Sequence, residues 1–234
     1  MLNQLIKEVK SLENREKAKI LMRFFKTGKG EYGEGDVFLG IQVPISRTIV
    51  KKYWKNLTLS EVEELIRSPI HEHRLIGLMI LVEKYQKSKT TEEKEKIFDF
   101  YTKNTKRVNN WDLVDSSADR IIGSHLFEGD KSLLYKLAKS DNIWERRISI
   151  ISTFYFIKKG KFVDTLKISE LLLTDKQDLI HKAVGWMLRE MGKRGGELEL
   201  LGFLDKNHKV MPRTMLRYAI EKLDQETKKK YMAK

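Results

Sequence analysis

The sequence contains no cysteine, which excludes disulfides, thiolate nucleophiles and cysteine-ligated zinc or iron–sulfur sites. Three prolines leave long stretches where nothing interrupts a helix. The longest apolar run, Leu75 to Val82, has eight residues including one glycine, whereas a membrane-spanning helix needs about 20. The amphipathic beginning, MLNQLIKEVK, lacks the apolar stretch of a signal peptide. We therefore expect a soluble, cytoplasmic protein without a membrane partner.

Positive charge is abundant instead. The 234 residues include 46 lysines and arginines and 33 aspartates and glutamates, and 46 − 33 gives a net charge of +13. Hydrophobic residues make up 41% of the chain, too many for a disordered basic tail. A basic globular protein with a polyanionic partner, such as nucleic acid, is the class that this balance favours.

Apolar residues recur every three or four positions almost throughout, which predicts helices and no sheet. The connections between them are short, and Pro44 and Pro212 stand where helices would begin. This pattern predicts an all-α fold, either an α-solenoid of stacked helix pairs or an irregular bundle, in one domain over residues 1–234. The predicted helices are 2–12, 14–26, 44–54, 59–67, 71–86, 91–104, 110–122, 130–139, 143–158, 162–173, 177–192, 195–204, 212–223 and 225–232.

Three unusual side chains recur at the pitch of helix-pair repeats. Trp111, Arg147 and Trp186 are separated by 36 and then 39 positions. In the predicted helix 143–158, Arg147 projects from the apolar face. Because arginine keeps its charge, it must meet a carboxylate or a phosphate there, as a buried ion pair or as a ligand contact.

Trp186 shows the converse pattern, since it lies opposite the apolar arc of the predicted helix 177–192. It shares that face with Lys182, Arg189 and Lys193. Another helix could cover it, or it could form an aromatic surface beside a row of phosphate-binding cations.

The segment NNWDLVD, residues 109–115, carries the third unusual arrangement. Asn109 and Asp112 have the spacing of a capping pair, which predicts a structural role for both. Trp111 and Asp115 are four residues apart and share one stripe, with Asp115 at the edge of the apolar arc. Asp115 could be an ion-pair partner or a carboxylate with chemistry to perform. Asp119 falls on the polar side and is expected to be solvated.

Other motif-like strings carry little weight. GKGEYG, residues 28–33, matches a dinucleotide fingerprint but lacks the preceding strand and the following helix. The string His71-Glu72-His73 lacks the spacing of two metal ligands on one helical face. We therefore expect no cofactor and no metal.

Five segments together resemble the HEAT-like-repeat family of DNA alkylation repair proteins, which includes the AlkD-like alkylpurine DNA glycosylases. They are YGEGDVFLGIQVP (32–44), NNWDLVD (109–115), NIWERRISI (142–150), HKAVGWMLREMGK (181–193) and MPRTMLRYAIEKL (211–223), and they occur in order over most of the chain. The resemblance implies one HEAT-like-repeat domain over residues 1–234, a superhelix with a concave basic face that binds duplex DNA.

The implied activity is monofunctional hydrolysis of the N-glycosidic bond of cationic N3- and N7-alkylated purines, such as 3-methyladenine and 7-methylguanine. By resemblance, Asp115 aligns with the family's catalytic aspartate, Trp111 and Trp186 with its active-site tryptophans, and Arg147 with its arginine. The charge pattern adds five candidate DNA phosphate contacts: Lys182, Arg189, Lys193, Arg213 and Arg217. A monomer is expected, since one chain carries every one of these residues.

Two alternatives remain open. Related solenoids bind damaged or branched DNA without cutting a bond, and this chain could be one of them. A protein-binding scaffold, for which the positive charge would be incidental, is the other.

Overall fold

The computed structural model describes residues 1–233, in which nearly all of the regular secondary structure is helical. Within these residues the only strand-like pairing is a single parallel bridge between Val37 and Ile70. The expected all-α fold is confirmed. The chain forms two compact units, Met1–Ser117 and the residues from Ala118 onward, and this division leaves the expectation of one domain a prediction.

The first unit is built around one long buried helix. Its helices are α1 (Leu2–Ser11), α2 (Arg15–Phe24), α3 (Val43–Tyr53), α4 (Leu59–Arg67), α5 (His71–Lys87), α6 (Thr91–Lys103) and α7 (Trp111–Ala118), with a 3₁₀ turn at Thr105–Arg107. Helix α5 packs against α3, α4 and α6, and every residue from His71 to Val82 is buried. An all-apolar run fits such a position, since a helix that is hydrophobic all round has neighbours on every side.

The second unit begins with a π-helical turn, Asp119–Gly123, that follows α7 directly. Its helices are α8 (Ser124–Leu126), α9 (Ser132–Ala138), α10 (Ile143–Lys158), α11 (Val163–Leu171), α12 (Asp178–Lys193), α13 (Glu197–Asn207), α14 (Arg213–Ala219) and α15 (Gln225–Met232). The two 16-residue helices α10 and α12 pack on each other, and α12 also packs on α13 and α14.

Local capping explains where several helices begin. Thr58 with Glu61, and Thr90 with Glu93, form reciprocal capping boxes at α4 and α6. The Asn142 side chain accepts a hydrogen bond from the main-chain N–H of Trp144 and starts α10.

Two close helix contacts depend on glycine. A Cβ atom on Gly185 of α12 would lie 2.5 Å from the carbonyl oxygen of Met215 in α14, so only glycine permits this approach. Gly123 of the π-helical turn is similarly pressed against the carbonyl of Ser152 in α10. The helices of residues 1–233 are all too short or too polar to span a bilayer.

Candidate functional site

Helix α7 carries two of the predicted site residues, Trp111 and Asp115, one turn apart and both half-buried. The Trp111 ring stacks on Phe25, with 5.1 Å between ring centroids and 7° between planes. The largely exposed ring of Phe24 meets it edge-on at 6.0 Å. Aromatic packing therefore sets the orientation of Trp111 from the end of α2 and the residue after it.

A buried ionic network lies at the beginning of α7. His71, the first residue of α5, is 1% exposed. Its Nδ1 lies 3.2 Å from Asp36 Oδ2, and its Nε2 lies 2.8 Å from Asp112 Oδ2. Arg74 donates to Asp36 Oδ1 at 2.6 Å, and Asn110 donates to Asp36 Oδ2 at 3.1 Å. Two carboxylates and two cations are thus packed together, with formal charges that balance once His71 is protonated.

The pKa values follow from this arrangement. Burial alone would lower the pKa of His71, but Asp112 and Asp36 outweigh it and raise that pKa to about 9. Burial would raise the pKa of Asp36, yet His71, Arg74 and Asn110 together hold it below its usual value. His71 is therefore an imidazolium at neutral pH, and it stacks on the Phe38 ring at 4.4 Å and lies 5.0 Å from that of Phe25.

The helix cap differs from the prediction, in which Asn109 played that part. Asn110 Oδ1 accepts the main-chain N–H of Trp111 at 2.8 Å, and Asn109 Oδ1 is buried without a hydrogen-bond partner. Asp112 is structural, as expected, but its partner is His71 rather than a capping residue. The spacing rule missed this because the partner is 41 residues away.

Glu72 ties the irregular segment before α3 to α5. Its carboxylate accepts the main-chain N–H groups of Leu39, Gly40 and Ile41 at 2.8–3.1 Å, and the residue is 1% exposed. These three donors satisfy a charge that would otherwise be too costly to bury.

The second unit holds the other two predicted site residues. Arg147 on α10 is 5% exposed, which confirms its predicted place on the buried face. One of its contacts is the carbonyl oxygen of Leu179 on α12, which its Nη1 meets at 2.6 Å. This contact is with a main-chain acceptor, and the expected contact of Arg147 with a carboxylate or a phosphate stays a prediction.

Trp186 on α12 is half-buried, and its ring lies 6.0 Å from that of Phe154 on α10. The neighbouring helix α10 therefore covers part of it, and the interpretation as an aromatic surface beside phosphate-binding cations stays a prediction. Lys158 Nζ and the Arg194 guanidinium lie 4.6 Å and 5.4 Å from the Phe154 ring centre, so the aromatic pair is flanked by cations.

The five predicted phosphate contacts lie on α12 and α14, and at least four of them have polar partners within the second unit. Lys182 pairs with Asp178 at 2.7 Å, Arg189 with Glu221, and Lys193 with Glu190 at 3.8 Å. Arg213 donates to the carbonyl of Met232 at 3.2 Å, and Arg217 is exposed. The Lys182–Asp178 pair is exposed at both ends and worth roughly 0–1 kcal/mol, so a phosphate could replace that carboxylate at small cost, whereas Glu190, the partner of Lys193, is buried.

Asp119 corrects another expectation, because it is 4% exposed rather than solvated. It pairs with Lys158 at 2.6 Å. A helical wheel of the isolated segment could not show this, because the partner lies 39 residues away on α10.

Across residues 1–233, no three histidine, aspartate or glutamate side chains are grouped so that they could hold a metal ion.

Comparison with known proteins identifies the family. The sequence profile described as DNA alkylation repair enzyme matches residues 5–223. The chain belongs to the DNA alkylation repair enzyme family. Membership assigns it a role in the repair of alkylation damage, with DNA as substrate or partner.

A solved structure described as a predicted DNA alkylation repair enzyme from Enterococcus faecalis has the same fold, with a TM-score of 0.70. The similarity covers 91% of this chain and 97% of that one at 19% sequence identity. None of the curated protein sequences matches the chain.

Sequence reasoning missed the ionic network behind α7. The signal was available at the head of α5, where HEHR precedes the apolar run LIGLMILV. Titratable side chains on a helix that is otherwise apolar must be buried, and buried charges need partners. Asp36 lies in the segment that carried the family resemblance, but nothing in its spacing indicated what it pairs with.

Proposed function

We propose that the chain is a DNA glycosylase that hydrolyses the N-glycosidic bond of cationic N3- and N7-alkylated purines in duplex DNA. Membership of the DNA alkylation repair enzyme family supports the substrate class. The observation that supports the activity most is the placement of Asp115 one turn after Trp111 on α7, whose first turn is held by the network of His71, Asp36 and Asp112. A carboxylate on a rigidly placed helix suits electrostatic catalysis.

The chemistry needs only one carboxylate. A cationic alkylpurine is already activated as a leaving group, so no acid must protonate it. As the C1′–N bond breaks, the purine leaves neutral and positive charge develops on the deoxyribose. Water then bonds to C1′, and its proton passes to Asp115 or to solvent.

The magnitude is sufficient. A carboxylate about 4 Å from the developing charge, at an effective dielectric near 20, stabilises it by about 4 kcal/mol. At 1.36 kcal/mol per tenfold change in rate, this corresponds to about a thousandfold acceleration.

The remaining site residues receive the roles that the family resemblance implies. Trp111 and Trp186 would line the sugar and backbone of the damaged nucleotide, where the negative faces of their rings favour a cation. Arg147 would hold a flanking phosphate.

Duplex binding is assigned to Lys182, Arg189, Lys193, Arg213 and Arg217, together with the +13 net charge of the chain. If about six phosphates are neutralised, log affinity falls with a slope near −5 against log salt concentration. Phosphate contacts carry no sequence information, so binding is expected to be largely independent of sequence.

The experiment is chromatographic detection of free methylated purines after incubation with methylated duplex DNA at neutral pH. Wild-type protein should release 7-methylguanine or 3-methyladenine above the spontaneous background. Asp115→Asn should keep its DNA affinity and lose about 10²- to 10³-fold in rate. Asp99→Asn on α6 is the matched control, since it makes the same change at an exposed position and should leave the rate unaltered.

Each alternative result has a defined meaning. No release by wild-type protein that still binds DNA tightly would replace the glycosylase with a non-catalytic binder of damaged or branched DNA. Unchanged release by Asp115→Asn would remove this carboxylate from the mechanism. No affinity for DNA would favour the protein-binding scaffold.

A further inference from the structure

We propose that His71 is a positioning residue: its imidazolium, held between Asp36 and Asp112, fixes the first turn of α7 and thereby the placement of Trp111 and Asp115. The role in catalysis rests on the proposed glycosylase function. The role in holding α7 does not, and it can be measured separately.

The geometry requires a charged ring. Nδ1 faces Asp36 at 3.2 Å and Nε2 faces Asp112 at 2.8 Å, so both nitrogens must donate. A neutral imidazole has one N–H, and its other nitrogen would turn a lone pair towards a carboxylate oxygen. Deprotonation of His71 therefore turns one of its two carboxylate contacts, to Asp36 or to Asp112, from attractive to repulsive.

Charged groups and aromatic rings from several segments of the first unit surround this position. Arg74 on α5 itself repels the imidazolium, and Asp36, in the segment before α3, attracts both of them. The rings of Phe25 and Phe38 cover the imidazolium. Glu72 is engaged by main-chain N–H groups of residues 39–41. From α7, Asp112 faces Nε2, and its second oxygen, Oδ1, is buried without a hydrogen-bond partner.

The bridge reaches the site residues by two short routes. Asp112 immediately follows Trp111 in the first turn of α7. Asn110, which donates to Asp36, accepts the main-chain N–H of Trp111 with its other amide atom. The orientation of Trp111 and Asp115 on α7 thus depends on the contact between Asp112 and His71. A misplacement of about 1 Å at such a position can cost about 100-fold in rate.

The first test follows the helix without using activity. The four tryptophans give separate indole N–H resonances in ¹⁵N NMR spectra, and Trp111→Phe identifies the relevant one. In wild-type protein the Trp111 resonance should move with a midpoint near pH 9, while that of Trp144 on α10 stays constant. The movement should be absent in His71→Gln. A Trp111 resonance that is constant from pH 7 to 10 in the wild type overturns the proposal.

The second test uses single-turnover excision and a compensating pair. His71→Gln should lose about 10- to 100-fold in rate with DNA affinity unchanged within about threefold. The double variant His71→Gln/Asp112→Asn restores the charge balance and should recover most of that loss. The wild-type rate should fall above pH 9, and the double variant should lack this decline. Two results would contradict the positioning role. One is a folded His71→Gln protein that excises the base as fast as the wild type. The other is a double variant whose excision rate is no higher than that of His71→Gln.

The outcomes separate the two proposals. If wild-type protein releases no methylated purine, the glycosylase assignment fails, and the Trp111 resonance still decides whether His71 holds α7. If His71→Gln does not fold, the wild-type resonance and the wild-type pH–rate profile decide it.

Discussion

Helices α7 and α12, which carry candidate site residues in the first and second units, are held in place by different physical means. Helix α7, with Trp111 and Asp115, is anchored by buried charges, the contacts of His71 with Asp36 and Asp112. Helix α12, with Trp186, is seated by close packing, where Gly185 lets α14 approach the backbone. The first anchor is directional and depends on protonation, whereas the second depends on volume and is insensitive to pH.

This difference predicts which perturbations each part tolerates. Removing one charge from the network leaves its partners buried and unpaired. Adding one methyl group at Gly185, where α12 meets α14, forces the backbone to move. A change of pH should not affect this contact.

The largest expected effect is on the charged anchor. Asp36→Asn removes the carboxylate shared by His71 and Arg74 and should lower the free energy of unfolding by about 3–5 kcal/mol, the usual cost of breaking a buried ion pair. Urea denaturation measures it. As a control, Glu92→Gln breaks the exposed pair with Lys96 and should cost less than about 0.5 kcal/mol. If the two substitutions lowered the free energy of unfolding equally, the buried charges would hold α7 no more strongly than an exposed ion pair.

The next effect is on pH dependence. The pKa of His71 is raised from 6.5 to about 9 on folding, so its contribution to stability is complete below pH 6.5 and is lost as the pH rises through 9. The free energy of unfolding should fall by up to about 3 kcal/mol across this window. Denaturation at a series of pH values checks it, and His71→Gln should flatten the curve. A wild-type curve that is already flat would show that the imidazolium adds nothing to stability.

A smaller effect is expected where α12 meets α14. The Cβ atom of Gly185→Ala would lie 2.5 Å from the Met215 carbonyl oxygen and should destabilise the protein by about 1–3 kcal/mol at every pH. Gly202→Ala on α13 is the matched control, because its Cβ meets nothing within 4 Å and alanine favours a helix by about 1 kcal/mol. Thermal unfolding distinguishes them. A tolerated Gly185→Ala would mean that this contact can relax.

The smallest effect concerns the cations on the same helix. Lys182→Ala should weaken duplex binding modestly and reduce the salt slope by about one, since one phosphate contact is lost. Fluorescence anisotropy at several salt concentrations measures the slope. An unchanged slope would show that this face of α12 does not contact the DNA.

Much of the fold could be predicted from the sequence, because local periodicity determines it. The helix predicted at 143–158 is observed with the same ends, and the helix predicted at 71–86 is observed at His71–Lys87. The predicted helix 110–122 is in fact α7 followed by a π-helical turn, because apolar spacing does not reveal a widened turn. The roles of Asp115, Trp111, Arg147 and Trp186 stay predictions.

The partners of the buried charges could not be predicted from the sequence, because tertiary packing brings them together. His71 meets groups 35 and 41 residues away, and only the packing of α5 brings them together. Arg147 was correctly placed on a buried face, yet its contact with the carbonyl of Leu179 depends on how α10 meets α12. Periodicity tells which face a residue occupies, whereas its partner depends on tertiary packing.

The Glu72 carboxylate has a consequence for the order in which the first unit assembles. It joins α5 to amides more than 30 residues earlier in the chain, in a segment without regular secondary structure. The amide hydrogens of Leu39, Gly40 and Ile41 cannot be protected until α5 is in place, and they cannot be released without detaching it. They should therefore exchange with solvent deuterium as slowly as the amides of the buried helix, so that an irregular segment unfolds together with the core.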